Sequence, residues 1–293
     1  MANIALSWRE AAILSGVLFG LALLLRSSGA RTLKSVAPFA REVGVLAGLY
    51  ALWQFAGSAS LQQTEGAFAR ARWIVRVEQD WHLPSETRVQ DLITGHPWLV
   101  EVVNLYYATM HFTGLFILLL WMFLRHRDRY AFWRTTIVLL TASCLLVQLL
   151  PVAPPRLLPE FGFVDTAAQY GQSVYTALSA VGPDQLSAMP SVHVGWAVLV
   201  AIAAWTLTTS RWRWLGVGHA VATVFVVVAT ANHFWLDGIV AAVILALVLL
   251  IQAGTRHMFR ARRHRKVATE LVTIRDSGER ELTRTDHGGA SML

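Results

Sequence analysis

The sequence predicts an all-α integral membrane protein with about six to seven transmembrane helices. Of its 293 residues, 55% are hydrophobic and only 15% are charged, whereas a soluble domain carries about 25% charged residues. The apolar residues occur in runs that approach the roughly 20 residues needed to cross a bilayer. Most of the twelve Trp residues lie near the ends of these runs, as expected for side chains that prefer the headgroup region.

Seven apolar runs are candidate spans. In chain order they are Ala11–Leu25, Val43–Ala59, Trp98–Leu124, Phe132–Leu150, Ser191–Thr209, Leu215–Ala231 and Leu236–Ala253. The first run is short, and the Arg9 before it and the Ser28-Gly29-Ala30 after it are also typical of a secretory signal. We interpret this run as a retained helix, with a cleaved signal as the alternative.

The segment Gln62–Trp81 is too polar to cross a bilayer but mixes apolar and charged residues. It predicts an interfacial helix on the outer leaflet, with Trp73 and Trp81 as anchors; a cap over the spans is the alternative. The chain is therefore divided into N-terminal transmembrane helices (1–59), a larger membrane domain (60–255) and a basic, disordered cytoplasmic tail (256–293).

The charge of the connections predicts their sides of the membrane. The formal net charge is +7, and the basic residues concentrate in the connections Arg26–Arg41, Arg125–Arg134 and Arg211–Arg213 and in the tail. Such segments accumulate on the cytoplasmic side of a membrane. The segments 60–96 and Pro151–Met189, in which acidic residues offset the basic ones, are therefore predicted to face outside. The membrane is expected to be the cell membrane. Because the basic residues belong to these short connections, no nucleic-acid partner is expected.

Two polar motifs lie at the outer starts of the fifth and seventh runs, and they contain His193, His233 and Asp237. Polar side chains at membrane depth are costly and tend to mark function. His233 and Asp237 are four residues apart and share a face of a helix, so the carboxylate can orient one ring nitrogen and leave the other as a nucleophile. His193 on a neighbouring helix can protonate a leaving oxygen. These three residues are the candidate catalytic set.

Further residues are candidates for substrate binding. Ser191 offers a hydroxyl beside a helix N-terminus, which favours anions. Arg156 carries a planar guanidinium that suits phosphate oxygens; an ion pair with Glu160 is the alternative interpretation.

A polar set on the third run has spacings of three and four residues and so shares one helical face. It consists of Asn104, Tyr107 and His111. These side chains either contact a headgroup or an acceptor alcohol, or pack between helices. The single cysteine, Cys144, allows no intrachain disulfide and no thiolate metal site.

The two motifs resemble those of the type 2 phosphatidic acid phosphatase superfamily, which shares its site with vanadium haloperoxidases. Pro190-Ser191-Val192-His193 is similar to the second motif, Pro-Ser-Gly-His, and His233 to Asp237 is similar to the end of the third, His-x-x-x-Asp. The Ala153-Pro154-Pro155 segment resembles the branch that includes the inositol phosphorylceramide synthases. The resemblance covers roughly residues 60–250.

The resemblance implies a membrane-embedded lipid phosphotransferase or phosphatase with His233 as the nucleophile and a phosphohistidine intermediate. The substrate is then a lipid phosphate or phospholipid, water or an alcohol is the acceptor, and no metal or other cofactor is needed. The Lys-containing first motif is missing, with Arg156 as its only substitute, and no Arg precedes His233. This paucity of cations favours transfer of a headgroup such as phosphoinositol over hydrolysis.

Two functions of other classes use the same residues. A proton-coupled transporter would employ the His and Asp side chains as a relay, but it predicts spans interrupted by Gly or Pro, which the sequence lacks. A non-catalytic membrane scaffold would not require His193, His233 and Asp237 together. No glycine-rich nucleotide motif is present.

Overall fold

The structure is a computed structural model that describes residues 6–60, 64–172 and 186–258. These ranges are helical and contain no β-strand, with an isolated parallel bridge between Val152 and Ser187. The helices are α1 (Trp8–Ser27), α2 (Arg31–Ser60), α3 (Thr64–Asp80), α4 (Glu86–Thr94), α5 (Pro97–Arg125), α6 (Arg127–Val147), α7 (Thr166–Gln169), α8 (Val192–Leu207), α9 (Arg213–Ala229) and α10 (Trp235–Met258).

The chain forms two compact units, Met1–Ala246 and Leu247–Leu293. All candidate site residues belong to the first unit. The second unit begins within α10, which continues to Met258. The predicted tail therefore starts inside this helix, and the rest of it lies outside the described residues.

Within the described residues, four helices are long and apolar enough to cross a membrane, namely α1, α5, α6 and α10. The helices α8 and α9 are also apolar but have 16 and 17 residues. These helices support the prediction of an all-α membrane protein. The total of six to seven spans stays a prediction, since α2 does not meet the same criterion of length and apolarity.

The N-terminal helices differ from the predicted spans at their starts. The hydroxyl of Ser7 accepts the Glu10 N–H while the Glu10 carboxylate accepts the Ser7 N–H, and this reciprocal cap sets the start of α1 at Trp8. Helix α2 begins at Arg31, so the predicted connection Arg26–Arg41 is largely helical. The helix runs through this basic segment with Pro38 inside it.

The predicted interfacial segment forms α3, and its apolar side packs against the protein. Ala67, Ala71 and Ile74 are buried in a cluster with apolar residues of 152–163, 186–188 and 231–236. The burial supports the alternative that this helix caps the spans. Trp73 and Trp81 remain exposed, and their contact with the headgroup region stays a prediction.

The polar segment after α6 folds back on itself before it enters α8. It contains two short 3₁₀ turns, Pro155–Leu157 and Pro159–Phe161, followed by α7. The Val152 N–H donates to the Leu186 carbonyl at 2.7 Å, and the Ala188 N–H donates to the Val152 carbonyl at 3.1 Å. These bonds fix the position of the Ala188 carbonyl ahead of α8.

The predicted orientation can be tested by labelling single cysteines. Gln169 at the end of α7 and Asp128 at the start of α6 are both exposed, whereas Cys144 is buried. In a Cys144→Ser background, we expect Gln169→Cys to react with an impermeant thiol reagent in intact cells. Asp128→Cys should react only after permeabilisation, and the opposite pattern would show that the orientation is inverted.

Candidate active site

The starts of α8 and α10 meet at the site. The Ser191 N–H donates to the Asp237 carbonyl at 3.0 Å, which joins the two helix starts directly. The Ser191 hydroxyl accepts the Val194 N–H at 3.3 Å, so Ser191 is the buried N-cap of α8. Its predicted contact with substrate stays a prediction, and its observed role is to begin the helix that carries His193.

The turn between α9 and α10 delivers His233. Ala231 has a left-handed backbone with φ of 52°, which reverses the chain after α9. The N–H groups of Asn232 and His233 both donate to the Val227 carbonyl at 3.1 Å, and so close the end of α9 in the manner of a helix C-cap. His233 therefore lies two residues before α10 rather than on the helix.

The Nδ1 atom of His233 has two acceptors. It lies 2.8 Å from the Ala188 carbonyl oxygen and 3.3 Å from Asp237 Oδ2. Because both partners only accept, the network assigns the ring proton to Nδ1 and leaves the lone pair on Nε2. The side chains of His233 and Asp237 are both buried.

The contact between His233 and Asp237 arises from helix capping, and not from a shared helical face as the spacing argument assumed. Asp237 Oδ2 accepts the Phe234 N–H at 2.9 Å, so the carboxylate reaches back over the first turn of α10. In that position the same oxygen faces His233. The spacing of four residues thus correctly indicated that His233 and Asp237 are in contact, although His233 is not itself in the helix.

The ring of His193 completes the site. Its Nδ1 lies 3.3 Å from His233 Nε2, so the two predicted catalytic histidines contact each other. Two predicted residues of α5 flank this ring: Tyr107 stacks on it with a centroid distance of 4.6 Å, and His111 meets it at 4.2 Å. The third, Asn104, accepts the Thr166 hydroxyl and donates to Gln172, which ties α5 to the polar segment instead.

Arg156 is buried, and Glu160, the partner in the alternative interpretation, pairs with another arginine. Its guanidinium donates to Asn232 Oδ1 at 2.7 Å and forms an ion pair with Asp165 at 3.3 Å. The expected alternative partner, Glu160, pairs with Arg72 at 2.9 Å. The short 3₁₀ turn at Pro155–Leu157 explains the difference, because it directs Arg156 into the protein and leaves Glu160 at the surface.

Sequence reasoning missed two polar side chains that support the site. The buried Gln148 at the end of α6 donates to the Pro190 carbonyl at 3.1 Å, next to Ser191. The buried Glu78 of α3 accepts the Leu236 N–H at 2.7 Å. Glu78 follows the apolar face of α3 at a spacing of four residues from Ile74, and an acid on an apolar face is a readable signal of a buried partner.

The environment of Glu78 changes its ionisation. Burial, with the neighbouring Glu86 carboxyl as the next cause, raises the pKa of Glu78 to about 10. At neutral pH this favours a proton held between the Glu78 and Glu86 carboxyls. Within the described residues no group of three or more His, Cys, Asp or Glu side chains is placed to hold a metal ion.

Comparison with known proteins gives one match. A family model described as the PAP2 superfamily matches residues 72–251, which is more than half of the chain. The matched range contains all eight predicted site residues. No curated protein and no solved structure matches the chain.

The contacts of Arg156 predict a large loss on substitution. We expect Arg156→Ala to lower kcat at least about tenfold, because hydrogen bonds to charged groups contribute roughly 1.5–3 kcal/mol each. Arg156→Lys should restore little, since a single ammonium cannot reproduce the planar fork that reaches Asn232 and Asp165. Steady-state kinetics on a lipid phosphate measure the effect.

The matched control for this prediction is Arg72→Ala, which removes an arginine from a half-exposed ion pair. Such pairs contribute about 0–1 kcal/mol, so kcat should stay close to that of the wild type. A wild-type kcat in the Arg156→Ala variant would remove Arg156 from the site.

Proposed function

Because the chain belongs to the PAP2 superfamily, we propose that it is a membrane-embedded lipid phosphotransferase or phosphatase that works through a phosphohistidine on His233. Membership of this superfamily supports phosphatase or phosphotransferase activity in general. The observation that carries the assignment of His233 is the pair of acceptors at its Nδ1, which leaves Nε2 unprotonated and facing His193.

The proposed first step transfers the phosphoryl group to the enzyme. His233 Nε2 attacks phosphorus, a bond between Nε2 and phosphorus forms, and the bond to the leaving oxygen breaks as His193 donates its proton. The ring of His233 gains positive charge in this step. Asp237 and the Ala188 carbonyl stabilise that charge because both accept from Nδ1.

The proposed second step regenerates the enzyme. His193, now unprotonated, accepts a proton from the incoming water or alcohol, whose oxygen attacks phosphorus while the bond to Nε2 breaks. In the unliganded site the two histidine nitrogens are 3.3 Å apart. The substrate phosphate therefore replaces their mutual contact when it binds.

The proposed substrate is a lipid, and transfer to an alcohol is favoured over hydrolysis. The histidines lie at the starts of apolar helices, so a phosphate ester held by a bilayer reaches them without leaving the membrane. His233 and Asp237 are buried, and the aromatic ring of Tyr107 covers His193. Limited access of water to the phosphohistidine favours an alcohol that is delivered by a lipid.

We expect the purified protein to transfer a labelled headgroup from phosphatidylinositol to a lipid alcohol, with free phosphate or free headgroup as the minor product. Phosphatidic acid and a polyprenyl phosphate are assayed in parallel, and His233→Ala is the blank. Release of free phosphate alone would make the protein a phosphatase. Equal signals from wild type and His233→Ala would refute the proposed chemistry.

The roles of the two histidines predict different dependence on the leaving group. His233→Ala should abolish activity on all substrates and form no phosphoenzyme. His193→Ala should lose about a hundred- to ten-thousand-fold on a lipid ester, but much less on a nitrophenyl phosphate, whose leaving group needs no proton. Asp237→Asn should lower both rates without changing that ranking.

Trapping of the phosphoenzyme and rates on both substrates test these roles. If His193→Ala loses the trapped intermediate on the activated ester while His233→Ala retains it, the two roles are reversed.

A further inference from the structure

A carboxyl group from outside both histidine motifs reaches the start of α10. Glu78 lies near the end of α3, and its Oε1 accepts the Leu236 N–H at 2.7 Å. Both residues are buried. Leu236 adjoins Asp237, so this bond from α3 ends one residue away from the carboxylate that contacts His233.

The first N–H groups of a helix have no partner inside the helix, and in a buried site they need another acceptor. At α10 the Phe234 N–H is satisfied by Asp237 and the Leu236 N–H by Glu78. Asp237 Oδ1 is buried and has no hydrogen-bond partner among the described residues. Without Glu78, the Leu236 N–H in the first turn of α10 would lose its acceptor in a buried position, next to Asp237 in the chain.

We propose that Glu78 is a positioning residue that satisfies the Leu236 N–H and thereby keeps Asp237 directed at His233. The inference rests on the proposed role of the His233–Asp237 pair. Glu78 itself does not contact substrate. It acts through the first turn of α10, which carries Asp237.

The carboxyl of Glu86, which neighbours Glu78, explains how Glu78 is tolerated in a buried position near Asp237. Glu86 at the start of α4 is buried, and Glu78 Oε2 and Glu86 Oε1 lack hydrogen-bond partners within the described ranges. One proton between the two carboxyls satisfies both oxygens. With that shared proton, the Glu78–Glu86 pair carries one negative charge instead of two, which limits its repulsion of Asp237 and of a bound phosphate.

Two variants of Glu78 separate the acceptor from its charge. Glu78→Gln retains a neutral acceptor and a donor toward Glu86, so we expect kcat within about threefold of wild type. Glu78→Met has a similar length but no comparable acceptor. We expect its kcat to fall roughly ten- to a hundredfold with KM unchanged, since small displacements of positioned groups cost up to about a hundredfold.

A double-mutant cycle shows whether Glu78 acts through Asp237. In an Asp237→Asn background, Glu78→Met should cause little further loss, because coupled residues are not additive. Gln79→Met, an exposed change one residue along α3, is the matched control and should keep the wild-type kcat. Should Glu78→Met fail to fold, Glu78→Asp, whose shorter side chain withdraws the acceptor, replaces it in the same cycle.

Three outcomes would overturn the inference. They are a wild-type kcat in Glu78→Met, equal losses in the Gln and Met variants, and full additivity with Asp237→Asn. Each of these outcomes can be observed in an assay in which the wild type is active and His233→Ala is inactive. Equal activity of the wild type and His233→Ala would instead refute the proposed function.

Discussion

The first turn of α10 is the constraint on which the candidate site depends. A helix that begins in a buried, apolar region must find acceptors for its first N–H groups within the protein. Asp237 and Glu78 supply them. Because the capping oxygen of Asp237 is also the oxygen that faces His233, the requirement that starts the helix also orients the histidine.

The backbone determines the proton position on His233 as much as the carboxylate does. The Ala188 carbonyl is 0.5 Å closer to Nδ1 than Asp237 is, at 2.8 Å against 3.3 Å. That carbonyl is fixed by the pairing of Val152 with residues 186–188. Arg156 adds a second restraint from the same segment, since its guanidinium holds Asn232, the residue directly before His233.

The sequence was sufficient to predict the helical membrane class and the residues that would meet, because apolar runs and costly polar residues are local signals. His193, His233 and Asp237 do converge, and Tyr107 and His111 join them. Helix α2 begins ahead of the predicted span, and Arg156 contacts Asn232 and Asp165 where Glu160 was the alternative partner. The roles of the Ala188 carbonyl and the Leu236 N–H could not be predicted from the sequence. Almost every residue carries these backbone groups, and only tertiary packing determines which of them reach the site.

The same geometry bears on how a site with few cations can receive a phosphate. The bond from the Ser191 N–H to the Asp237 carbonyl brings the starts of α8 and α10 together, and both helix N-termini carry partial positive charge. Glu78, which shares a proton with Glu86, caps one of them with less negative charge than two free carboxylates would bring. In the proposed reaction, the phosphate therefore approaches a pair of histidines framed by two helix starts, which offer fixed dipoles where the related motifs offer Lys and Arg.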